Sequence, residues 1–259
     1  MTDLVVVGGG KMGEALVGGL VRSGWVPGAI TVVEPHAPRR AELEAAHPEL
    51  VVVAEPVAAA GAIVAVKPQH VVEVCSSLGE LGVARVLSIA AGVRLATIEA
   101  VVPPGTAVVR AMPNTPALVG AGAAAIAAGA AAGADDLAWA ESILAAVGSV
   151  VRVSEAQLDA VTGLSGSGPA YVFLVAEALI DAGVLEGLPR DVATELAVAT
   201  LRGAGELLAT GQAPAELRAA VTSPGGTTAA GLAALESAAV RAAFSAAVSA
   251  AAARSRELG

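Results

Sequence analysis

A glycine-rich stretch near the C-terminal end of the chain places hydroxyl side chains at the start of a helix. Residues Val221–Glu236 read VTSPGGTTAAGLAALE, so a Ser-Pro-Gly-Gly turn runs directly into an apolar helical pattern. The backbone N–H groups of residues 225–228 have no acceptor within such a helix. Together with the helix dipole, they favour a small anion such as a carboxylate. The alternative is that Ser223, Thr227 and Thr228 only cap the helix, because Ser and Thr are favoured there.

A second glycine-rich stretch follows the first apolar run of the chain. Gly8, Gly10 and Gly13 have G-x-G-x-x-G spacing between a predicted strand, Leu4–Val7, and a predicted helix. In dinucleotide-binding folds the first glycine permits the tight turn and the second lets the backbone approach a pyrophosphate. The third lets helix and strand pack closely. The pattern predicts a dinucleotide site, although a glycine-rich turn without a ligand remains the alternative.

The residue after the second predicted strand bears on the kind of dinucleotide. Glu34 follows Ile30–Val33 and stands about twenty residues after the glycines, where an acid accepts hydrogen bonds from the ribose hydroxyls and repels a 2′-phosphate. His36, Arg39 and Arg40 come immediately afterwards and have the positive charge to hold that phosphate. The sequence therefore leaves both NADPH and NADH open as the cofactor.

Composition limits the class of partner. The 259 residues are enough for one or two domains with a hydrophobic core. The net charge of −9 and an isoelectric point near 4.8 argue against nucleic acid or an anionic membrane as a partner. An Ala/Gly-rich stretch, residues 121–134, is too short to span a bilayer. We expect no signal segment, because the first predicted strand starts at once.

The cysteine and histidine content predicts a cytoplasmic protein without a metal site. Cys75 is the only cysteine, so an internal disulfide is excluded and a small buried apolar side chain is expected. The three histidines, at positions 36, 47 and 70, form no Cys/His cluster.

Short Val/Ile-rich runs alternate with helical patterns up to about residue 153. The predicted strands are Leu4–Val7, Ile30–Val33, Ile63–Val66, Val86–Ile89, Ala107–Arg110, Ala123–Ala127 and Val150–Val153. This alternation predicts an α/β fold with a doubly wound sheet, a Rossmann-like domain over residues 1–154. Helical periodicity then continues to Leu258, with Pro189 opening a helix that Gly211 closes. An all-α domain is expected over residues 155–259.

The helical half lacks the side chains that usually move protons in dehydrogenases. Lys11 and Lys67 are the only lysines, and no histidine follows His70. Alcohol and hydroxyacid dehydrogenases usually use such a group, because a hydroxyl proton moves along with the hydride. Hydride addition to a protonated imine gives a neutral amine directly, so positioning and hydrogen bonding suffice. The residue inventory therefore favours an imine substrate.

Sequence blocks along nearly the whole chain resemble the Δ1-pyrroline-5-carboxylate reductase family, which catalyses the last step of proline synthesis. Besides the glycine turn, the blocks are AVKPQ at 65–69, SIAAGV at 88–93, RAMPNTP at 110–116, DAVTGLSGSGPAY at 159–171, GLPRDVA at 187–193 and VTSPGGTT at 221–228. The resemblance implies reduction of Δ1-pyrroline-5-carboxylate to L-proline by NADPH or NADH. It places the imine between the nicotinamide and the helix start at residues 223–228.

The resemblance also implies site residues at the matching positions. Ser223 and Thr228 match the catalytic positions of the family. The turn and helix start match the segment that holds the substrate carboxylate and ring nitrogen, through Gly225, Gly226, Thr227 and Thr228. Glu155 falls where the family has an acid near the substrate, although it also reads as an ordinary N-terminal helix acid. The resemblance implies two sets of cofactor contacts. The set at the nicotinamide is Val66, Lys67, Pro68, Ala90, Ala91 and Gly92. The remaining contacts are Gly8, Gly10, Lys11, Met12, Gly13 and Glu34.

Two positions depart from the family pattern. Many relatives have an asparagine where this chain has Val53 and another where it has Ala220, and both changes put cofactor contacts in doubt.

Two rival functions also stay open: a hydroxyacid dehydrogenase of similar build, and a dinucleotide-sensing scaffold without turnover.

The C-terminal segment predicts self-association. Residues Leu232–Leu258 are apolar on more than one face, and a large exposed apolar patch usually marks an interface. The prediction is an obligate homodimer built on these helices, and the resemblance suggests that dimers gather into a decamer.

Overall fold

The computed structural model describes residues 2–259, and an eight-stranded sheet runs through its first part. The strands are β1 (Thr2–Val7), β2 (Ile30–Val33), β3 (Val51–Val53), β4 (Ala59–Val64), β5 (Arg85–Ser88), β6 (Ala107–Met112), β7 (Gly122–Ala128) and β8 (Gly148–Arg152). Their order across the sheet is β3-β2-β1-β4-β5-β6-β7-β8. Neighbouring strands from β3 to β6 are all parallel, which confirms the predicted doubly wound sheet.

The last two strands reverse direction. Strand β7 pairs antiparallel with β6, and β8 pairs parallel with β7. Residues 113–121 alone connect β6 to β7, which is shorter than the crossover that a parallel neighbour needs. All seven predicted strands are present, and their ends agree to within two residues except at the start of β4, which lies four residues before the predicted Ile63. The edge strand β3 is absent from the predicted set, because three residues carry too little periodicity to distinguish a strand from a loop.

Eleven α-helices accompany the sheet in the described residues. They are α1 (Lys11–Arg22), α2 (Ala37–Ala46), α3 (Val71–Glu80), α4 (Leu95–Glu99), α5 (Ala134–Ala145), α6 (Leu158–Val161), α7 (Gly168–Leu185), α8 (Arg190–Ala209), α9 (Pro214–Ala220), α10 (Thr227–Ser237) and α11 (Val240–Leu258). A π-helical turn, Thr162–Gly166, links α6 to α7.

Both faces of the sheet are buried. Along β1, Leu4 and Val6 belong to an apolar cluster that includes residues of α1 and α5, whereas Val5 and Val7 belong to a cluster with residues of α3 and α4. Successive side chains of a strand point to opposite faces, so a parallel sheet covered on both sides is built from continuous apolar runs. Cys75 of α3 is fully buried in the second cluster, and burial raises the pKa of its thiol to about 12. The expectation of a buried apolar cysteine is confirmed.

The chain forms two compact units whose boundary differs from the predicted one. The first unit runs up to Ser167 and includes Ser249–Gly259, and the second is Gly168–Val248. Residues 155–167 belong with the sheet because Leu158 is fully buried in its second cluster. The division of roles between residues 1–154 and 155–259 remains a prediction.

The second unit is helical, as predicted after Ser154. Helix α8 begins directly after Pro189, and Gly211, with φ of +87°, follows its end. Helices α7 and α8 pack closely, since a Cβ built on Gly183 would lie 3.2 Å from the Cβ of Ala193. Small residues therefore let these two helix backbones approach each other.

The helices of the second unit expose many large apolar side chains. These are Val172, Phe173, Leu174, Leu179, Leu185, Leu188, Val192, Leu196, Val198, Leu207, Leu208, Val221, Leu235 and Phe244. Soluble monomers rarely expose so many large apolar side chains on neighbouring helices, so the exposure indicates an interface. The exposed set begins on α7 and is broader than the C-terminal segment Leu232–Leu258 from which the interface was predicted.

We predict that replacing Phe173 with glutamate weakens self-association. Phe173 is 61% exposed in the single chain, and burying an unpaired carboxylate in an apolar interface is costly. Light scattering at micromolar concentration should show a dimer for the unaltered chain and a shift towards monomer for Phe173→Glu. Val26→Glu is the control, because Val26 is 68% exposed but lies in the first unit. A stable, active monomer of the unaltered chain would contradict the prediction.

Candidate active site

The glycine turn after β1 is built on close backbone contacts. Gly8 has φ of +110°, a conformation that L side chains rarely adopt, and its N–H donates to the carbonyl of Val33. A Cβ on Gly8 would lie 2.5 Å from the carbonyl oxygen of Ala65, and one on Gly13 would collide with the carbonyl oxygen of Gly8. These two glycines therefore hold the turn against the end of β4 and the start of α1, as their spacing predicts.

Gly10 has a different reason to be glycine. A Cβ built on it would meet no atom of the described chain within 4 Å, and its φ of −67° suits any residue. Gly10 is also the N-cap of α1, with no side-chain cap among the described residues. The space beside it fits the predicted approach of a pyrophosphate.

The start of α1 presents free donors to that space. The first bond within the helix runs from Glu14 N–H to the Gly10 carbonyl at 2.9 Å, so the N–H groups of residues 11–13 precede the helical ladder. Lys11 is exposed, whereas the side chain of Met12 packs against the first apolar cluster. The expected cofactor contact of Met12 is therefore made by its backbone N–H group and not by its side chain. The dipole and free donors together suit a dinucleotide pyrophosphate.

Glu34 is a buried anion tied to the glycine turn. Its Oε2 accepts from Gly9 N–H at 3.2 Å, and its Oε1 accepts from His36 N–H and lies 3.0 Å from His36 Nδ1. Burial acts to raise the pKa of the Glu34 carboxyl, but the bonds from His36 and Gly9 outweigh it and lower the pKa below its ordinary value. The carboxylate is therefore a fixed negative charge beside the predicted adenosine site.

Arg39 and Arg40 lie next to this carboxylate but have partners of their own. Arg39 Nε donates to the Gly9 carbonyl at 2.8 Å, and its other nitrogens donate to Glu14 and Glu42 at 2.6 and 2.8 Å. Arg40 donates to the carbonyls of residues 34 and 35.

A cavity of about 660 Å³ opens beside Arg39 and the start of α1. Its lining residues are Gly10, Lys11, Glu14, Arg39, Glu42 and Leu118.

The loops after β4 and β5 lie at the same sheet edge as the glycine turn. Ala65 N–H donates to the Val7 carbonyl and Ile89 N–H donates to the Val64 carbonyl, at 2.8 and 3.1 Å. The carboxyl edge of a parallel sheet is where doubly wound folds bind ligands. The predicted nicotinamide contacts in these loops differ in exposure. Ala90 is buried, and Val66 and Gly92 are half-buried. Lys67, Pro68 and Ala91 are exposed.

Glu155 has a structural role in the first unit. Its Oε1 accepts from Leu95 N–H at 2.7 Å and from Arg110 Nη1 at 3.0 Å. Arg110, on β6, is 6% exposed and needs this counter-charge. The observed bonds join the start of α4 to strand β6. Substrate contact by Glu155 remains a prediction.

Two buried polar residues near this edge are absent from the predicted site. Arg110 stands inside the apolar strand AVVRAM, and a charge in such a strand signals a buried partner. Asn114 accepts from Ala123 N–H at 2.8 Å and donates to the Ser165 carbonyl at 3.0 Å. Ser165 lies in the π-helical turn, a feature frequent at functional sites.

The turn before α10 uses the N–H of Gly226 and leaves those of Thr227 and Thr228 without a partner in the described chain. Ser223 accepts from Gly226 N–H at 3.0 Å, and Gly225 has φ of +68°, which is the arrangement of a type II turn with Pro224 at its second position. Gly226 is the N-cap, and within the described chain no side chain caps the helix. The first helical bond runs from Ala230 N–H to Gly226. Capping by Ser223 or the threonines is therefore not what this structure contains.

Val53 and Ala220, the two positions expected to depart from the family pattern, have ordinary structural places. Val53 ends the edge strand β3, packs against the second apolar cluster and accepts from Glu34 N–H at 2.9 Å. Ala220 is the last residue of α9. Neither side chain offers a hydrogen bond to a cofactor.

Known proteins match the chain along its whole length. The family model for pyrroline-5-carboxylate reductase dimerisation matches residues 155–258, and one described as NADP oxidoreductase, coenzyme F420-dependent, matches residues 3–92. A pyrroline-5-carboxylate reductase of Synechocystis is 48% identical, over 99% of this chain and 98% of its own. The chain belongs to the pyrroline-5-carboxylate reductase family.

Solved structures of the family agree with the fold. A pyrroline-5-carboxylate reductase of Coxiella burnetii is 36% identical, with a TM-score of 0.94 over 100% of this chain and 98% of its own. The pyrroline carboxylate reductase of Plasmodium falciparum, solved with NADP bound, is 28% identical, with a TM-score of 0.83 over 100% of this chain and 98% of its own.

Membership of this family accounts for the apolar surface of the second unit. The helical run Glu155–Leu185, whose part from Gly168 onward lies in the second unit, contains an 18-residue window with a mean hydropathy of 1.5, long and apolar enough to cross a membrane by length and composition alone. The match to the dimerisation family covers the whole run. Packing between subunits therefore explains an exposure that the single chain does not.

We predict that Gly10→Ala and Gly13→Ala separate cofactor access from packing. Gly10→Ala should raise the Kd for NADH and NADPH about tenfold, because the new methyl group fills the space beside the helix start. Its melting temperature should barely change. Gly13→Ala, whose methyl group meets the Gly8 carbonyl, should lower the melting temperature markedly. Fluorescence titration and thermal melting measure both quantities. Unchanged dinucleotide affinity in Gly10→Ala would place the pyrophosphate elsewhere.

Proposed function

We propose that the chain reduces Δ1-pyrroline-5-carboxylate to L-proline with NADPH or NADH, the last step of proline biosynthesis. The observation that carries the proposal is the open turn and helix start at residues 223–228, in a chain with full-length identity to reductases of that name. The cofactor site fits a dinucleotide, as the space beside Gly10 and the free donors of α1 indicate.

The chemistry demands little proton transfer from the protein. A bound NADPH or NADH supplies a hydride, which adds to the imine carbon while the electron pair of the C=N⁺ bond moves to nitrogen. The product is a neutral amine, so no side chain has to remove or add a proton in that step. This agrees with the absence of lysine after Lys67 and of histidine after His70.

The helix start of α10 supplies the contacts that orient the substrate. The N–H groups of Gly225, Thr227 and Thr228 bind the carboxylate, helped by the dipole of α10. The N–H of Gly226, also expected among these donors, instead closes the turn on the Ser223 carbonyl. Ser223 and Thr228 have exposed hydroxyl groups, which no hydrogen bond occupies in the described chain. Thr228 bonds to the ring nitrogen as the iminium becomes an amine, and Ser223 holds the carboxylate.

One assay tests this function against its rivals. Oxidation of NADPH or NADH is followed with Δ1-pyrroline-5-carboxylate, with product proline measured, beside a panel of hydroxyacids. Turnover with the imine alone supports the proposal. Turnover with a hydroxyacid alone supports the dehydrogenase, and dinucleotide binding without any turnover supports the sensing scaffold.

The finer assignments are part of the same proposal. Residues 1–154 carry the cofactor and residues 155–259 carry the substrate and the dimer contacts. The protein acts in the cytoplasm, and its dimers gather into a decamer. Sedimentation at micromolar concentration separates a decamer from a dimer.

We predict that Glu34→Ser raises the specificity for NADPH relative to NADH. The Glu34 carboxylate accepts from Gly9 N–H, and Arg39 donates to the Gly9 carbonyl, so removing the carboxylate takes away a negative charge at this turn that repels a 2′-phosphate. The ratio of kcat/KM values for the two cofactors measures the effect. Glu42→Gln is the control, since Glu42 also neighbours Arg39 but is exposed. An unmoved ratio in Glu34→Ser would mean that His36, Arg39 and Arg40 set the preference.

We predict that Thr228→Ala lowers kcat/KM for the imine about 100-fold, on the order of 2–3 kcal/mol, by removing one positioning bond. Affinity for NAD(P)H and the melting temperature should stay nearly unchanged. Thr227→Ala is the matched control, because its side chain points about 100° away around the helix. If Thr228→Ala instead lowers the melting temperature and spares turnover, the hydroxyl has only a structural role.

A further inference from the structure

The loop after β5 packs against the last residues of the described chain. Gly92 in this loop has φ of +77°, and a Cβ built on it would lie 3.3 Å from the Leu258 carbonyl oxygen. A Cβ built on Gly259 would lie 2.8 Å from the Gly92 carbonyl oxygen. The two backbones are therefore in direct contact, although about 165 residues separate them in sequence.

The C-terminal turn is itself fastened to the first unit. Ser255 is 7% exposed, and its hydroxyl donates to Asp159 Oδ1 at 2.6 Å. Ala252, one turn earlier on the same helix, is also 7% exposed. We call residues Ser255–Gly259 the C-terminal brace.

The same short segment that holds the brace also holds the far end of the loop. Asp159 lies in α6, four residues after Glu155, whose carboxylate accepts from Leu95 N–H at 2.7 Å. Leu158 fixes this segment to the sheet, since it is fully buried in the second apolar cluster. The loop of residues 90–95 is thus held at Gly92 by the brace and at Leu95 by Glu155.

We propose that the C-terminal brace positions the loop of residues 90–92 for the nicotinamide half of the cofactor, and that the bond from Ser255 to Asp159 keeps the brace in place. The inference rests on the cofactor placement of the proposed function. Ser255 and Asp159 are positioning residues, because they act through Gly92 and touch no reacting atom. Small displacements of a positioning element change binding and turnover strongly.

Binding of two ligands tests the proposal without turnover. Ser255→Asp puts a carboxylate against Asp159 and should raise the Kd for NADH about tenfold, through the lost bond and the like-charge repulsion. The Kd for ADP-ribose, which lacks the nicotinamide, should stay unchanged. Adding Asp159→Asn to this variant gives the new carboxylate a donor and should restore most of the NADH affinity. Ser142→Asp, which adds the same charge at an exposed position of α5, is the control.

Other outcomes overturn the proposal. If the Kd for NADH stays unchanged while the melting temperature falls, the brace is only structural. If the Kd for NADH and that for ADP-ribose rise equally, the effect is a general loosening of the unit. Should Ser255→Asp fail to fold, Ser255→Ala decides by the same comparison, with an expected rise of about fivefold for NADH. Failure of the unaltered chain to reduce the imine would overturn the proposed function and leave this comparison readable.

Discussion

The close approach of backbones at the glycine turn is the constraint on which the nucleotide-binding unit depends. Gly8 lies against the carbonyl of Ala65, and Gly13 lies against the carbonyl of Gly8. Side chains at these positions would separate β1 from β4 or push α1 away, and the free donors of α1 would no longer face the carboxyl edge of the sheet. Gly10 contributes by leaving space, so the three glycines of one motif serve packing and access separately.

Charge placement at the turn shows how the protein holds an anionic cofactor despite its net charge of −9. The helix dipole and free N–H groups supply positive potential at the start of α1. Arg39, in contrast, already pairs with Glu14 and Glu42. A 2′-phosphate must compete with both carboxylates for this guanidinium and tolerate the anionic Glu34 nearby. These contacts explain why the arginines alone do not settle the cofactor preference.

The sequence predicts the elements with strong local patterns and misses those set by distant partners. The runs LVVV and ITVV and the glycine turn are readable because period and spacing act within a few residues. The reversal at β7 depends on the length of a connection, and the bond from Ser255 to Asp159 joins residues 96 positions apart. Glu155 illustrates the limit: the family resemblance implies an acid near the substrate, whereas its bonds to Arg110 and Leu95 depend on tertiary contacts.

The absence of charge around the α10 helix start is itself suited to an imine acid. No residue from Val221 to Leu235 carries a charged side chain. A lysine or arginine placed for the carboxylate would also repel the iminium cation, which lies only a few bonds away on the same small ring. Backbone N–H groups, which we propose as the carboxylate site, carry only partial charges directed along the helix axis, so the repulsion is smaller. In the proposed arrangement, the hydroxyl of Thr228 can accept from the iminium N–H and later donate to the amine, which a fixed cation cannot do.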